Sequence, residues 1–221
     1  IAFPILLFPK LGFITTAFLV GSINIITAVI IVFKYSKFIE KSKIIKITAI
    51  AILIVMLAFL FTGNMITDKI ERGLYRDDVI LSKQTPYQKI VMTKHKDDLR
   101  LFLDGNLQFS SSDEYRYHEA LVHIPMMYAK KHDRVLILGG GDGLAARELL
   151  KYEDIKEIVL VDIDKDMTDL CATDKQIAKL NNDSLKNEKV QVINEDGYMF
   201  VQENENKFDV IIIDFPDPNN E

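Results

Sequence analysis

The sequence predicts an α/β protein: a doubly wound parallel sheet, preceded by a small antiparallel β domain and two N-terminal transmembrane helices. Three observations carry that prediction. Two long stretches near the N-terminus are free of charge, Leu11 to Phe33 and Ile47 to Thr67. Short apolar–polar alternations broken by turn residues run from Asp77 to Phe109. From Arg134 onward, apolar strand runs alternate with helical patterns, and an acid follows each strand.

Charge divides the chain in the same place. The 221 residues carry a formal net charge of -5. Residues 1–66 hold Lys10, Lys34, Lys37, Lys41, Lys43 and Lys46 against the single acid Glu40. The remainder carries the excess of acids, as a soluble domain can. At 1.5 Å per residue each uncharged stretch makes a helix of roughly 30–35 Å, enough to cross the hydrocarbon core of a bilayer. Buried core helices this uniformly apolar are rare in a domain of this size. The first stretch also lacks the basic lead of a signal peptide. Residues 1–67 are therefore expected to form a transmembrane hairpin, with contacts to membrane lipid through two or more spans. The chain starts at Ile1 rather than at a methionine and stops at Glu221 beside an acidic turn, which reads as a piece of a longer protein.

Composition also excludes some chemistry. One cysteine cannot build a disulfide framework or a thiolate metal cluster. His118 and His123 are five apart, not the i, i+4 pair of a zinc-protease helix. No metal and no nucleic-acid partner are expected, and Cys171 is expected to pack as a small apolar residue.

The elements follow in order. Residues 68–76 read as a linker and 77–112 as the β domain. Within it, Gln88 to Thr93 and Leu99 to Leu103 alternate, and Asp104-Gly105-Asn106 marks a hairpin turn. Ser111 and Glu114 have capping-box spacing, so a helix is expected through about His123, ending near Pro125. Residues 113–221 read as one Rossmann-like domain. Arg134 to Leu138 reads as a strand, followed by GGGDG (Gly139 to Gly143) and a helix from Leu144 to about Tyr152. Glu157 to Val161 is a second strand, ending in Asp162-Ile163-Asp164, with a helix from about Lys165 to Leu180. Lys189 to Ile193 is a third, ending in Glu195-Asp196-Gly197. Phe208 to Ile213 is a fourth, ending in Asp214-Phe215-Pro216-Asp217-Pro218. Such alternation means a parallel, Rossmann-like sheet, and the acids lie at the strand ends where these sheets bind ligands.

Those positions define a chemistry. A glycine turn between strand and helix allows close backbone approach and presents free amides. GGGDG departs from the dinucleotide pattern because Gly143 comes one residue early. Asp142 also puts a carboxylate where a pyrophosphate would sit. Asp162, 19 residues after Gly143, stands where an acid holds ribose hydroxyls. Gly139, Gly141, Asp142 and Asp162 together favour an adenosine ligand whose other end is positive, such as a sulfonium. Asp196, before Gly197, can accept the adenine amino group. Asp214 and Asp217 can each bind an ammonium, and one that faces an amine nucleophile can take its proton.

These residues resemble a known family. YQKIVMTKHKDDLRLFLDGNLQFSSSDEYRYHEALVH (Tyr87 to His123), VLILGGGDG (Val135 to Gly143), VLVDID (Val159 to Asp164), EDG (Glu195 to Gly197) and DFPDP (Asp214 to Pro218) are similar to the spermidine synthases, the polyamine aminopropyltransferases. The two spans resemble the membrane-fused bacterial members. The resemblance implies a methyltransferase-type Rossmann-like fold. It also implies aminopropyl transfer from decarboxylated S-adenosylmethionine, as co-substrate, to putrescine or a similar polyamine, with methylthioadenosine as by-product. It places Asp214 as general base, Asp217, Tyr117 and His118 along the polyamine channel, and Gln88, Asp142, Asp162, Asp196 and Gly197 at the nucleoside. It leaves room for a homodimer. Asp162 stands where soluble members usually carry glutamate, and Phe215-Pro216 replaces their small polar pair. The alternatives are an S-adenosylmethionine-dependent methyltransferase and a non-catalytic membrane polyamine-binding protein.

Topology is where two expectations conflict. Five lysines between Lys34 and Lys46 would hold that loop in the cytoplasm by the positive-inside rule. The nucleoside donor is cytoplasmic, so the catalytic domain of this multi-pass cell-membrane protein is expected to face it, against that count.

Overall fold

The computed structural model describes residues 8–38 and 42–216. The chain divides into two units, Ile1–Asp78 and Val79–Glu221.

The first unit is two helices, α1 (Phe8–Lys34) and α2 (Ser42–Leu74). Phe18 and Phe59 stack with ring centres 4.8 Å apart, and Lys46 Nζ sits 4.9 Å from the centre of the Phe33 ring. The hydroxyls of Ser22, Thr27 and Thr48 donate to the carbonyls of Phe18, Ile23 and Ile44, at 2.7, 3.0 and 3.0 Å. An apolar helix thereby hides its few polar groups internally, as a lipid environment demands. Ile23, Ile30, Ile47 and Ile54 are more than half exposed. The helices are long and apolar enough to cross a membrane. The expected linker of residues 68–76 differs: α2 continues to Leu74, because no proline interrupts it.

The second unit contains two four-stranded sheets. The first is antiparallel, in the order β1 (Asp78–Gln84), β2 (Lys89–His95), β3 (Asp98–Leu103), β4 (Asn106–Ser110). Asp104 and Gly105 both have positive φ, 49° and 83°, as a two-residue hairpin turn requires. Helix α3 (Tyr115–Tyr128) follows, and here the structure corrects two expectations. There is no capping box: Ser111 Oγ accepts from the Leu99 amide at 2.8 Å, while Glu114 turns inward to other partners. Nor does Pro125 end the helix, since Ala129 N–H donates to the Pro125 carbonyl at 3.0 Å. The buried stripe of His118, Val122 and Met126 offsets the one backbone bond that proline cannot make.

The second sheet is built from β5 (Arg134–Gly139), β6 (Glu157–Val161), β7 (Val190–Ile193) and β8 (Val210–Asp214). All its pairings are parallel, in the order β7-β6-β5-β8. In chain order that is 3-2-1-4, so strand order reverses between β5 and β8, where doubly wound sheets form their ligand crevice. Val135, Ile137, Ile158 and Leu160 pack on one face, and Leu136, Leu138, Val159 and Val161 with Phe200 on the other. Burial on both faces accounts for the uninterrupted apolar runs. The expected helix from Lys165 to Leu180 is two, α5 (Lys165–Thr173) and α6 (Lys175–Leu180). Asp174 separates them because its side chain caps α6, accepting from Gln176 and Ile177 amides. Helices α4 (Leu144–Leu149) and α7 (Gly197–Glu203) complete the unit. Cys171 is fully buried in the core, as expected.

Gly139 has φ of 84°, and a Cβ there would run into the backbone of Asp214 on the neighbouring strand. Gly139→Ala is expected to cost about 3 kcal/mol in equilibrium denaturation, from left-handed strain and overpacking combined. A loss below about 1 kcal/mol would show that the β5–β8 contact relaxes freely.

Candidate active site

A cleft of about 1030 Å³ opens at the carboxyl ends of β5, β6 and β8. It is lined by the glycine turn, by Asp142, Asp162, Asp196 and Asp214, by Tyr117 and His118, and by Tyr87, Gln88 and Asn106 to Gln108 from the antiparallel sheet. Among the described residues no lysine or arginine lines it.

Three of these acids are held by backbone donors, and the fourth by a tyrosine hydroxyl. Asp142 Oδ1 accepts from the Leu144 amide at 2.9 Å, in the first turn of α4. Asp162 accepts twice, from Gly141 N–H at 3.0 Å and Asp164 N–H at 2.8 Å. Gly141 is small by necessity, since a Cβ there would meet the Asp162 carboxylate. Asp196 caps α7, accepting from the Tyr198 amide at 2.8 Å. Gly197 follows with room for a Cβ at ordinary contact distance, so the cap alone does not require glycine there. Asp214 accepts from the Tyr117 hydroxyl at 2.9 Å, and its own carbonyl accepts from Gly140 N–H at 3.0 Å.

Crowding these carboxylates shifts them. Burial pushes Asp214 up to about 6, and the neighbouring charge of Asp142 adds to the rise. His118 and the Tyr117 hydrogen bond pull the other way. Burial also raises Asp142 and Asp162. Burial alone would lower His118, but its hydrogen bond to Glu114 and the charges of Asp142 and Asp214 outweigh that and raise it. The ligand atoms of His118, Asp142 and Asp214 lie within 4.8 Å of one another. His118 Nδ1 is engaged by Glu114 at 2.9 Å, and the neighbouring acids favour its charged form.

Of the residues singled out in the sequence, Tyr117, His118, Gly139, Gly141, Asp142, Asp162, Asp196, Gly197, Gln88 and Asp214 all line this one cleft. Asp217 lies outside the described residues. Gln88 also has a structural task, because its Nε2 donates to Asp164 at 2.9 Å. Three contributors escaped sequence reasoning. Asp164 is 1% exposed and accepts from Thr85 Oγ1 at 2.7 Å as well as from Gln88, tying the antiparallel sheet to the end of β6. Glu114 and Arg147 form a bidentate pair behind His118. The i, i+4 spacing of Glu114 and His118 on one helix was the available signal.

A 3-2-1-4 parallel sheet with a glycine turn after its first strand and an acid after its second defines a Rossmann-like class of domain. Comparison with known proteins narrows it. Residues 114–221 match the spermine/spermidine synthase domain. Over its whole length it is 44% identical to a polyamine aminopropyltransferase of Leptospira interrogans and covers 44% of that protein. It is 42% identical to one of Oceanobacillus iheyensis, covering 43%. The chain thus spans less than half the length of these relatives. A spermidine synthase crystallised with the transition-state analogue AdoDATO superposes with a TM-score of 0.59 at 33% identity, over 64% of this chain and 47% of that one. The Thermotoga maritima spermidine synthase gives 0.58, also at 33% identity, over 64% of this chain and 48% of that one.

Because Asp214 is raised above its ordinary value of 3.8 to about 6, it contributes stability below pH 4 that is lost as pH rises to about 6. Asp214→Asn is expected to match the parent near pH 4 and exceed it above pH 6. The gain is at most about 3 kcal/mol, which urea denaturation across that range would measure. A variant less stable at pH 7 would contradict the burial of this charge.

Proposed function

We propose that the chain carries the catalytic unit of an aminopropyltransferase that moves an aminopropyl group from decarboxylated S-adenosylmethionine to putrescine or a similar diamine. The single observation that supports this best is Asp214, a carboxylate raised to about 6 and faced by a second acid, in a cleft that no lysine or arginine lines among the described residues. A diamine is a dication at neutral pH, and its attacking nitrogen must lose a proton. Asp214 is still ionised at pH 7 and is a stronger base than an ordinary carboxylate. The freed amine attacks the methylene carbon bonded to the sulfonium, the carbon–sulfur pair returns to sulfur, and methylthioadenosine leaves as a neutral thioether. Asp162 would hold the ribose, Asp196 the adenine amino group, and Asp142 the positive sulfonium end. Tyr117, His118 and Asp217 would line the amine channel. Alignment of amine and carbon supplies much of the rate. The same acids repel the carboxylate of ordinary S-adenosylmethionine, which favours the decarboxylated donor and disfavours methyl transfer. In this reading α1 and α2 anchor the enzyme in the cell membrane, with the catalytic unit on the cytoplasmic side.

In the intact protein, Asp214→Asn is expected to lower kcat by about 10²–10⁴ while donor affinity changes little. Unchanged turnover would remove Asp214 as base, and equal binding of S-adenosylmethionine and its decarboxylated form would favour a methyltransferase. Reporter activity only in the periplasm, from a fusion after Pro216, would reverse the topology.

A further inference from the structure

Behind the cleft, His118 is held by a pair of residues that do not line it. Glu114 is 7% exposed. Its carboxylate receives both arms of Arg147, Nη1 to Oε1 at 2.7 Å and Nη2 to Oε2 at 3.0 Å. His118 Nδ1 lies 2.9 Å from Glu114 Oε2 and 2.9 Å from the Glu114 backbone carbonyl. Neither oxygen has a hydrogen to give: one is a carbonyl, the other a carboxylate pinned by a guanidinium. Nδ1 must therefore be the donor, which fixes the proton on that side of the ring. Nε2 is left toward the cleft, 4.0 Å from Asp142 Oδ2. The charged and titratable groups around the ring are Glu114 and Tyr117 from α3, Asp142 from the glycine turn and Asp214 from β8. Arg147 of α4 lies behind Glu114, and Asp162 at the end of β6 joins the acids in front. Arg147 is anchored in turn by the Leu180 carbonyl at 2.9 Å.

We propose that Glu114, clamped by Arg147, is a positioning residue that keeps His118 an imidazolium with its Nε2–H directed at Asp142 and Asp214, so that both acids stay ionised before the diamine arrives. Without that cation, one acid of the crowded group takes a proton at neutral pH, and Asp214 is the one whose protonation stops proton transfer. The inference rests on the reading of Asp214 as base.

Glu114→Gln keeps the shape and an acceptor for Nδ1 but removes the charge. In the intact protein it is expected to move the acidic limb of the kcat/KM profile to higher pH by about half a unit or more, with turnover recovering at alkaline pH. Glu114→Asp, which keeps the charge, should leave the limb in place even where kcat falls. A purely structural role would lower activity evenly across pH in both variants, and that outcome would overturn the proposal. An independent readout is the NMR titration of the His118 Cε1–H in the unliganded protein, expected above the ordinary 6.5 and lower in Glu114→Gln. A midpoint at or below 6.5 in the unaltered protein would also overturn it, even if Glu114→Gln fails to fold. Full turnover in Asp214→Asn would instead remove Asp214 as base, defeating the reading on which this inference rests, while the His118 titration separately tests whether Glu114 holds the imidazole charged.

Discussion

Three carboxylates share one end of the parallel sheet, and their mutual repulsion is the constraint around which the second unit is arranged. Asp142, Asp162 and Asp214 come from the ends of three adjacent segments that a doubly wound topology forces together at its switch point. Like charges so placed would ordinarily neutralise by protonation or swing out to water. Here backbone N–H groups from Gly141, Leu144 and Asp164 and the Tyr117 hydroxyl hold them in place. The glycine turn serves the acids before it serves any ligand, since Gly141 brings an amide to Asp162 where a side chain would collide with it.

Counter-charge is arranged at one remove. The one imidazole in the cleft is backed by Glu114, Glu114 by Arg147, and Arg147 by the end of α6. Buried ion pairs are usually poor sources of stability, because desolvation consumes most of the Coulombic gain. Their use here is directional: the chain of partners decides which ring nitrogen points into the cleft. The antiparallel sheet is fastened to the same region through Thr85 and Gln88 on Asp164, so residues from both sheets border one cavity.

Much of this was readable from sequence, for identifiable reasons. Strands buried on both faces leave unbroken apolar runs, and glycine and acid positions at their ends mark the crevice without any knowledge of packing. Local signals failed where a tertiary partner outbid them. Ser111 and Glu114 have capping-box spacing, yet Asp98 and Leu99 take the serine and Arg147 takes the glutamate. Pro125 reads as a stop but sits in a helix whose apolar stripe continues past it. Asp174 reads as one more helical residue, while its own side chain offers a cap that starts a new helix. The Glu114–Arg147 pair joins positions 33 apart, a separation that carries no periodic signature.

One backbone bond links two of these themes. Gly140 N–H donates to the carbonyl of Asp214, while the Asp214 side chain reaches Tyr117. Residue 214 is thus fixed at both ends, its carbonyl by the glycine turn and its carboxylate by Tyr117 of α3. The glycine turn and α3 are joined through that one residue. A displacement of the glycine turn is thereby passed to the carboxylate through a single peptide unit.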